Sequence, residues 1–148
     1  MRARRPRNGG DRRNDFRRFP ANQGQKVGGR YPFCARFVPW AIHRGMIERA
    51  RSALPNEACG ILVGIKEEML KFCPAANQEA SRSHYFLEPS EQLEIFREVE
   101  ERGWELLGIF HSHLDTPAYP SQQDSDMACY PDVVYLIASP CEGSSPMV

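Results

Sequence analysis

The chain has 148 residues, of which 41% are hydrophobic and 26% charged, values typical of one globular domain. No apolar run reaches the roughly 18–20 residues that a membrane-spanning helix needs, so we expect no integral membrane protein. The net charge of zero hides an asymmetry, because residues 1–36 hold 11 basic and 2 acidic residues whereas the remainder holds 8 basic and 17 acidic residues. Two compositions therefore share one chain.

The arginine-rich start, residues 1–30, contains few bulky apolar residues after Met1, namely Phe16, Phe19 and Val27. Such a segment buries too little surface to offset its ordering entropy, so we predict a disordered tail. Its arginine pairs can contact nucleic-acid phosphates nonspecifically, which is the only nucleic-acid binding we expect. A transit peptide and translation from an early start site are alternatives, whereas the apolar stretch of a secretory signal is missing.

The remaining residues, 31–148, predict one domain of alternating strands and helices. Apolar residues recur at helical spacing after Pro39, and Pro89 and Gly103 mark the start and end of a second helix. The predicted elements are strands over 31–38, 59–65, 68–73, 83–87, 104–113 and 133–138, and helices over 39–54, 89–102 and 121–129. This order predicts an α/β fold with a mixed or largely antiparallel sheet flanked by helices. Because the chain ends soon after its last predicted strand, we expect the sheet to lack an edge strand on its C-terminal side.

The cysteines indicate a reducing compartment. Their odd number and the lack of any Cys-x-x-Cys pair argue against a disulfide scaffold and against a four-cysteine zinc site, so we expect a cytoplasmic protein. Cys59 lies in an apolar run and is expected to be a small buried residue. His43 and His84 have no ligand spacing around them and are expected on a helix face and on a strand. The five cysteines are Cys34, Cys59, Cys73, Cys129 and Cys141.

Two histidines stand at the end of an apolar strand, where side chains emerge at a cleft. His111 and His113 are separated by one residue, so both point to the same side of the strand and can reach one ion. Asp124 follows across a loop that contains Pro117 and Pro120, in the first turn of the next predicted helix. Two histidines and a carboxylate form a standard hydrolytic zinc set, which keeps one position open for water.

Each part of this pattern also has a structural interpretation. The two histidines can be a polar strand edge, and Ser121 with Asp124 matches a helix capping box. The Ser121 hydroxyl, if held beside a metal, can in addition donate a hydrogen bond to a tetrahedral oxyanion. Asp115 is the alternative third ligand, although Pro117 opposes the continued strand that this set would need.

The four-position spacing of His111, His113, Ser121 and Asp124 resembles the JAMM signature of the MPN-plus metalloproteases. Residues 55–64, Pro-Asn-Glu-Ala-Cys-Gly-Ile-Leu-Val-Gly, resemble the family's upstream segment with its catalytic glutamate, here Glu57. The resemblance runs over residues 37–139. The loop after the second histidine departs from it, because Leu114 stands where a proline is expected.

The resemblance implies a cytidine-deaminase-like α/β architecture and a zinc metallopeptidase. His111, His113 and Asp124 would bind Zn²⁺, Glu57 would act as general base, and Ser121 would steady the oxyanion. The implied reaction is hydrolysis of an amide bond at the C-terminal Gly-Gly tail of a ubiquitin-like or sulfur-carrier protein, as in the compact prokaryotic branch. Alternatives are a JAMM peptidase of another pathway (phage-tail or cell-wall linked), a non-catalytic MPN scaffold and a RadC-like protein. A homodimer remains an open alternative for the assembly.

Overall fold

The structure is a computed structural model that describes residues 38–139. The predicted tail, almost all of the predicted strand over 31–38, Cys34, Cys141 and the predicted C-terminal edge of the sheet lie outside these residues. No helix within them combines the length and apolar character needed to cross a bilayer. The described elements, in chain order, are α1 (Trp40–Ser52), β1 (Cys59–Ile65), β2 (Glu68–Ala75), α2 (Pro89–Arg102), β3 (Glu105–Ser112), α3 (Gln122–Met127) and β4 (Val134–Ala138).

Four strands form one mixed sheet in the order β2-β1-β3-β4. β1 pairs antiparallel with both β2 and β3, whereas β3 and β4 run parallel. The parallel pair needs a crossover, which the segment containing α3 supplies. The α/β fold with a mixed sheet predicted from the sequence is confirmed. β1 is buried over all but its last residue, as its nearly continuous apolar sequence requires.

Each face of the sheet is covered by one of the two long helices. α1 packs on one face through Ile42, Met46, Ile47 and Ala50, which meet a group of buried residues that includes Leu62 and Phe110. α2 packs on the opposite face through Ile95 and Phe96, which meet Cys59, Ile61, Val63 and Cys73. Alternation along β1 thus divides the core into two layers. Cys59 lies on the α2 face of the sheet, and His111, its partner on β3, lies on the same face.

The helix ends follow the sequence signals with small differences. α2 begins at Pro89 and ends before Gly103, whose φ of 63° is the left-handed conformation that glycine adopts readily. Pro39 was predicted as the first helical residue of α1 but is its N-cap, so the helix begins at Trp40. It ends at Ser52, two residues before its predicted end. α3 ends at Met127, two residues before its predicted end.

The strand predicted over residues 83–87 is wrong, because this segment is a loop with a single bridge between Asn77 and Leu87. Two backbone bonds flank this bridge, Gln78 N donating to Phe86 O and Glu88 N donating to Ala76 O, and the Asn77 side chain binds further backbone groups of the loop. Its Oδ1 accepts from the backbone N–H of Phe86 at 3.0 Å, and its Nδ2 donates to the carbonyl of His84 at 3.1 Å. A side-chain amide that satisfies backbone groups in this way competes with regular sheet pairing.

Candidate metal centre

The pairing of β1 with β3 brings Glu57 to the two histidines. Cys59 lies opposite His111 in the antiparallel register. One residue further along, at the end of β3 and just before β1, Ser112 N donates to Ala58 O at 3.0 Å, and Ala58 N donates to the Ser112 hydroxyl at 2.8 Å. Extending this register by one more residue sets Glu57 opposite His113. Since side chains alternate, the Glu57 carboxyl and both imidazoles lie on the same side of the sheet.

Three potential ligand atoms converge at this point. His111 Nε2 and His113 Nε2 are 3.1 Å apart, and they lie 3.2 Å from Asp124 Oδ1 and Oδ2 respectively. A tetrahedral zinc ion with bonds of about 2.0–2.2 Å separates its ligand atoms by roughly 3.3–3.6 Å. The three side chains therefore stand close to the spacing that one ion would impose, and they form a possible metal group within residues 38–139.

Each imidazole is held by a contact that suits a metal ligand. His113 Nδ1 lies 2.9 Å from the carbonyl oxygen of Pro117, which can only accept, so Nδ1 carries a hydrogen and Nε2 is the nitrogen that faces Asp124. Burial lowers the pKa of His111 to about 4, which keeps this ring uncharged at neutral pH. The Tyr85 ring stacks on His111 with a centroid distance of 4.4 Å and holds it in place.

Ser121 orients the Asp124 carboxylate. Its backbone N–H and hydroxyl both donate to Asp124 Oδ2, at 2.7 and 2.6 Å, while Asp124 N donates to the Ser121 hydroxyl at 3.1 Å. The predicted capping box is therefore present. Burial alone would raise the pKa of Asp124, but the Ser121 hydrogen bonds and the nearby His111 and His113 hold it below its ordinary value. An ionised carboxylate in a fixed orientation is what a metal ligand requires.

Glu57 is a buried acid beside this group. The residue is only 4% exposed. Two hydrogen bonds fix its backbone: Glu57 N donates to Ser81 O at 2.8 Å, and Asn77 Nδ2 donates to Glu57 O at 3.2 Å. Burial, and secondarily the charge of Asp124, raise the pKa of Glu57 to about 8. A buried carboxyl whose pKa lies near neutrality can both accept and donate a proton at physiological pH.

Other residues singled out from the sequence lie elsewhere. Asp115, the alternative ligand, is exposed and pairs with Arg82 at 3.3 Å. His84 lies in the loop between β2 and α2 rather than on a strand, and its Nε2 is 2.6 Å from Glu79 Oε2. His43 lies on α1, as predicted, and stacks on Trp40.

Three of the five cysteines lie within the described residues. Cys59 is buried as predicted, Cys73 is buried as well, and Cys129 is exposed. All three are free thiols. Burial raises the pKa of Cys59 to about 12, so this thiol stays protonated and behaves as a small core residue.

Three features of the site had no signal in the sequence analysis. The Ser112 hydroxyl joins the end of β3 to Ala58, the Pro117 carbonyl selects the tautomer of His113, and Tyr85 supports His111 by stacking. The first is a side-chain contact with the backbone of a neighbouring strand, and the second is a contact with a backbone carbonyl of a loop. Residue spacing reveals neither. Tyr85 belongs to the part of the chain that carries the family resemblance, but no role followed from that.

Comparisons with known proteins identify the family of the chain. The family model described as prokaryotic homologs of the JAB domain matches residues 39–147. The chain is 38% identical over 96 residues to the CysO-cysteine peptidase of Mycobacterium tuberculosis, covering 64% of this chain and 66% of that relative. It is 31% identical over 110 residues to the desampylase of Pyrococcus furiosus, covering 74% of this chain and 77% of that relative.

A solved structure shows the same fold. The solution structure of a protein from Desulfitobacterium hafniense superposes with a TM-score of 0.65 at 39% identity and covers 72% of this chain and 76% of that one. The chain thus spans just under two thirds of the mycobacterial relative, at 66%, and more of the other two. Since the family model matches most of the chain, including every element of the described fold, the chain belongs to the prokaryotic JAB-domain family.

Proposed function

We propose that this protein is a zinc-dependent peptidase that hydrolyses an amide bond at the C-terminal Gly-Gly tail of a ubiquitin-like or sulfur-carrier protein. The observation that carries the proposal is the convergence of His111, His113 and Asp124 beside the buried Glu57. The name of the mycobacterial relative, a CysO-cysteine peptidase, supports a peptidase for an adduct of this kind.

The donor set fits zinc. Two imidazole nitrogens and one carboxylate are a recurrent three-residue zinc set that leaves a coordination position for water or substrate. Here the Pro117 carbonyl engages His113 Nδ1, which leaves Nε2 as the nitrogen for a metal, and Asp124 Oδ2 is occupied by the two Ser121 donors, so Oδ1 remains for a metal. When bound, zinc would supply Lewis-acid polarisation and a water of lowered pKa.

Glu57 is proposed to move the proton of the reaction. Its ionised carboxyl takes a proton from the attacking water as the new C–O bond forms, and then delivers that proton to the amine nitrogen as the C–N bond breaks. The second proton of the water leaves the new carboxyl group and ends on the amine, so the products are the carrier with a free terminal carboxylate and an ammonium group, and atoms and charge balance. Its buried position and raised pKa support both steps, because a carboxyl that ionises near neutrality serves as base and acid in turn.

Ser121 is proposed to stabilise the developing oxyanion. Its hydroxyl donates to Asp124 Oδ2, but its backbone N–H donates to the same oxygen. The hydroxyl can therefore turn toward a substrate oxygen while the backbone bond keeps the carboxylate in place. A single donor of this type contributes about 100-fold or more to the rate in other hydrolases.

The test is cleavage of a sulfur-carrier protein that ends in Gly-Gly-Cys, followed by mass spectrometry. Zinc-loaded wild type is compared with Glu57→Gln, checked for full zinc occupancy, and with Glu100→Gln on the exposed side of α2 as the matched control. We expect loss of one cysteine with wild type and Glu100→Gln but not with Glu57→Gln. A folded, zinc-bound wild type that leaves the carrier intact would overturn the proposal.

A further inference from the structure

Arg82 lies in the loop between β2 and α2, beside the candidate metal centre. The neighbouring Ser81 accepts a hydrogen bond from Glu57 N at 2.8 Å. The Arg82 guanidinium reaches across to Asp115, which is two residues beyond His113, and two residues of chain span at most about 7 Å. The Arg82 side chain therefore connects the loop beside the proposed base with the loop that leaves a proposed ligand.

Charge makes this arginine distinctive. Residues 76–88 include Ser81 and Tyr85, which contact Glu57 and His111, and residues 113–133 include His113 and Asp124 themselves. Arg82 is the only lysine or arginine in either segment. Glu57 adds a seventh carboxylate to the six that these segments contain. The six are Glu79, Glu88, Asp115, Asp124, Asp126 and Asp132. Within these two segments, Arg82 is therefore the one arginine or lysine that can attract an anionic group of a substrate.

The Arg82 guanidinium is available for exchange. Only its Nη2 donates to Asp115, at 3.3 Å to each carboxylate oxygen, and the two side chains are 59% and 68% exposed. Exposed pairs of this geometry contribute little to stability. Among residues 38–139, no hydrogen bond to the other guanidinium nitrogens is present, which suits the planar, two-point recognition of a carboxylate at which arginine is effective.

We propose that Arg82 binds the free α-carboxylate of the leaving amine, so that the enzyme prefers a single amino acid as the leaving group over a lysine side chain within a protein. This inference rests on the proposed peptidase function. A Gly-Gly tail offers no charge of its own before cleavage, whereas an amino acid attached to its end carries a carboxylate within a few bonds of the scissile nitrogen. Asp115 holds Arg82 beside the site until that carboxylate replaces it.

The test compares two carriers that differ only at the end, Gly-Gly-Cys with a free carboxylate and Gly-Gly-cysteinamide. For wild type we expect kcat/KM to be about tenfold higher for the acid than for the amide, the factor of one charge-assisted hydrogen bond. Arg82→Gln removes this preference by lowering kcat/KM for the acid alone, Arg82→Lys retains part of it, and Asp115→Asn increases it. Arg97→Gln, an exposed arginine on α2, is the matched control and leaves the ratio unchanged.

Binding to the Glu57→Gln variant gives a readout that does not need turnover. We expect calorimetry to show tighter binding of the acid carrier than of the amide carrier, with the difference lost when Arg82→Gln is added. Equal affinities and equal kcat/KM for both carriers would overturn the role of Arg82 while leaving the peptidase intact. An equal loss on both carriers in Arg82→Gln would place Arg82 against the carrier body and also overturn it. If neither carrier is bound or cleaved, the peptidase proposal falls together with this inference.

Discussion

Glu57 makes the metal-free protein less stable as the pH rises, and Glu57→Gln removes this effect. Burial raises the pKa of Glu57 from 4.5 to about 8 in the folded protein. Below pH 4.5 the carboxyl is protonated in both the folded and unfolded states. Between pH 4.5 and 8 the unfolded chain releases this proton while the folded protein retains it, so stability is lost over this interval as the pH increases.

The size of the effect follows from the pKa values. Each pH unit within the interval corresponds to about 1.4 kcal/mol, which gives a cost of about 3 kcal/mol at pH 7 and about 1 kcal/mol or less at pH 5. Glutamine does not ionise, so Glu57→Gln avoids this cost. We therefore expect the free energy of unfolding of Glu57→Gln relative to wild type to increase by about 2–3 kcal/mol between pH 5 and pH 7.

Urea denaturation at both pH values, in excess chelator, measures this difference. Glu100→Gln is the control, because Glu100 is exposed on α2 and its substitution leaves the difference between pH 5 and pH 7 unchanged. If wild type and Glu57→Gln change in parallel between pH 5 and pH 7, then the carboxyl of Glu57 is not held protonated by burial. The reasoning about its role as proton carrier would then lose its physical basis.

Three further substitutions test the framework of the site. Ser112→Ala removes the acceptor of the buried Ala58 N–H and should lower the free energy of unfolding by about 1–3 kcal/mol in urea denaturation; no loss would contradict this bond. Gly60→Ala sets a Cβ 2.5 Å from the Phe72 ring, so we expect a loss of about 1–3 kcal/mol in the same assay, and a neutral effect would refute this packing. Ser121→Ala should weaken zinc binding about tenfold in a chelator competition titration, and unchanged affinity would show that the backbone N–H of residue 121 orients Asp124 without the hydroxyl.

The ligand group was predictable because its signals are local. Two histidines separated by one residue fall on one side of a strand, and a serine three residues before an aspartate predicts a helix start that turns the carboxylate inward. The pairing of β1 with β3 is not local, and it is this pairing that brings Glu57 to His113. The residue pattern alone favoured a surface carboxylate after a turn at Glu57, and only the family resemblance implied a catalytic role for it.

The error over residues 83–87 has a physical cause. Tyr85 and Leu87 gave the alternating apolar pattern of a strand, but their rings and methyl groups serve other contacts. Tyr85 stacks on His111, and Leu87 packs into the core on the α2 side. The N–H of Phe86 between them donates to the Asn77 side chain and its carbonyl accepts from Gln78 N, an arrangement that no periodicity in the sequence could indicate.

Zinc content after extensive dialysis tests the central claim most directly. Wild type, Asp124→Asn and Asp115→Asn would be loaded with zinc, dialysed and measured by elemental analysis, with circular dichroism to confirm folding. The account predicts one zinc per chain for wild type and for Asp115→Asn, and loss of the ion from Asp124→Asn. Zinc retained in a folded Asp124→Asn, or no zinc in folded wild type, would contradict a metal centre formed by His111, His113 and Asp124.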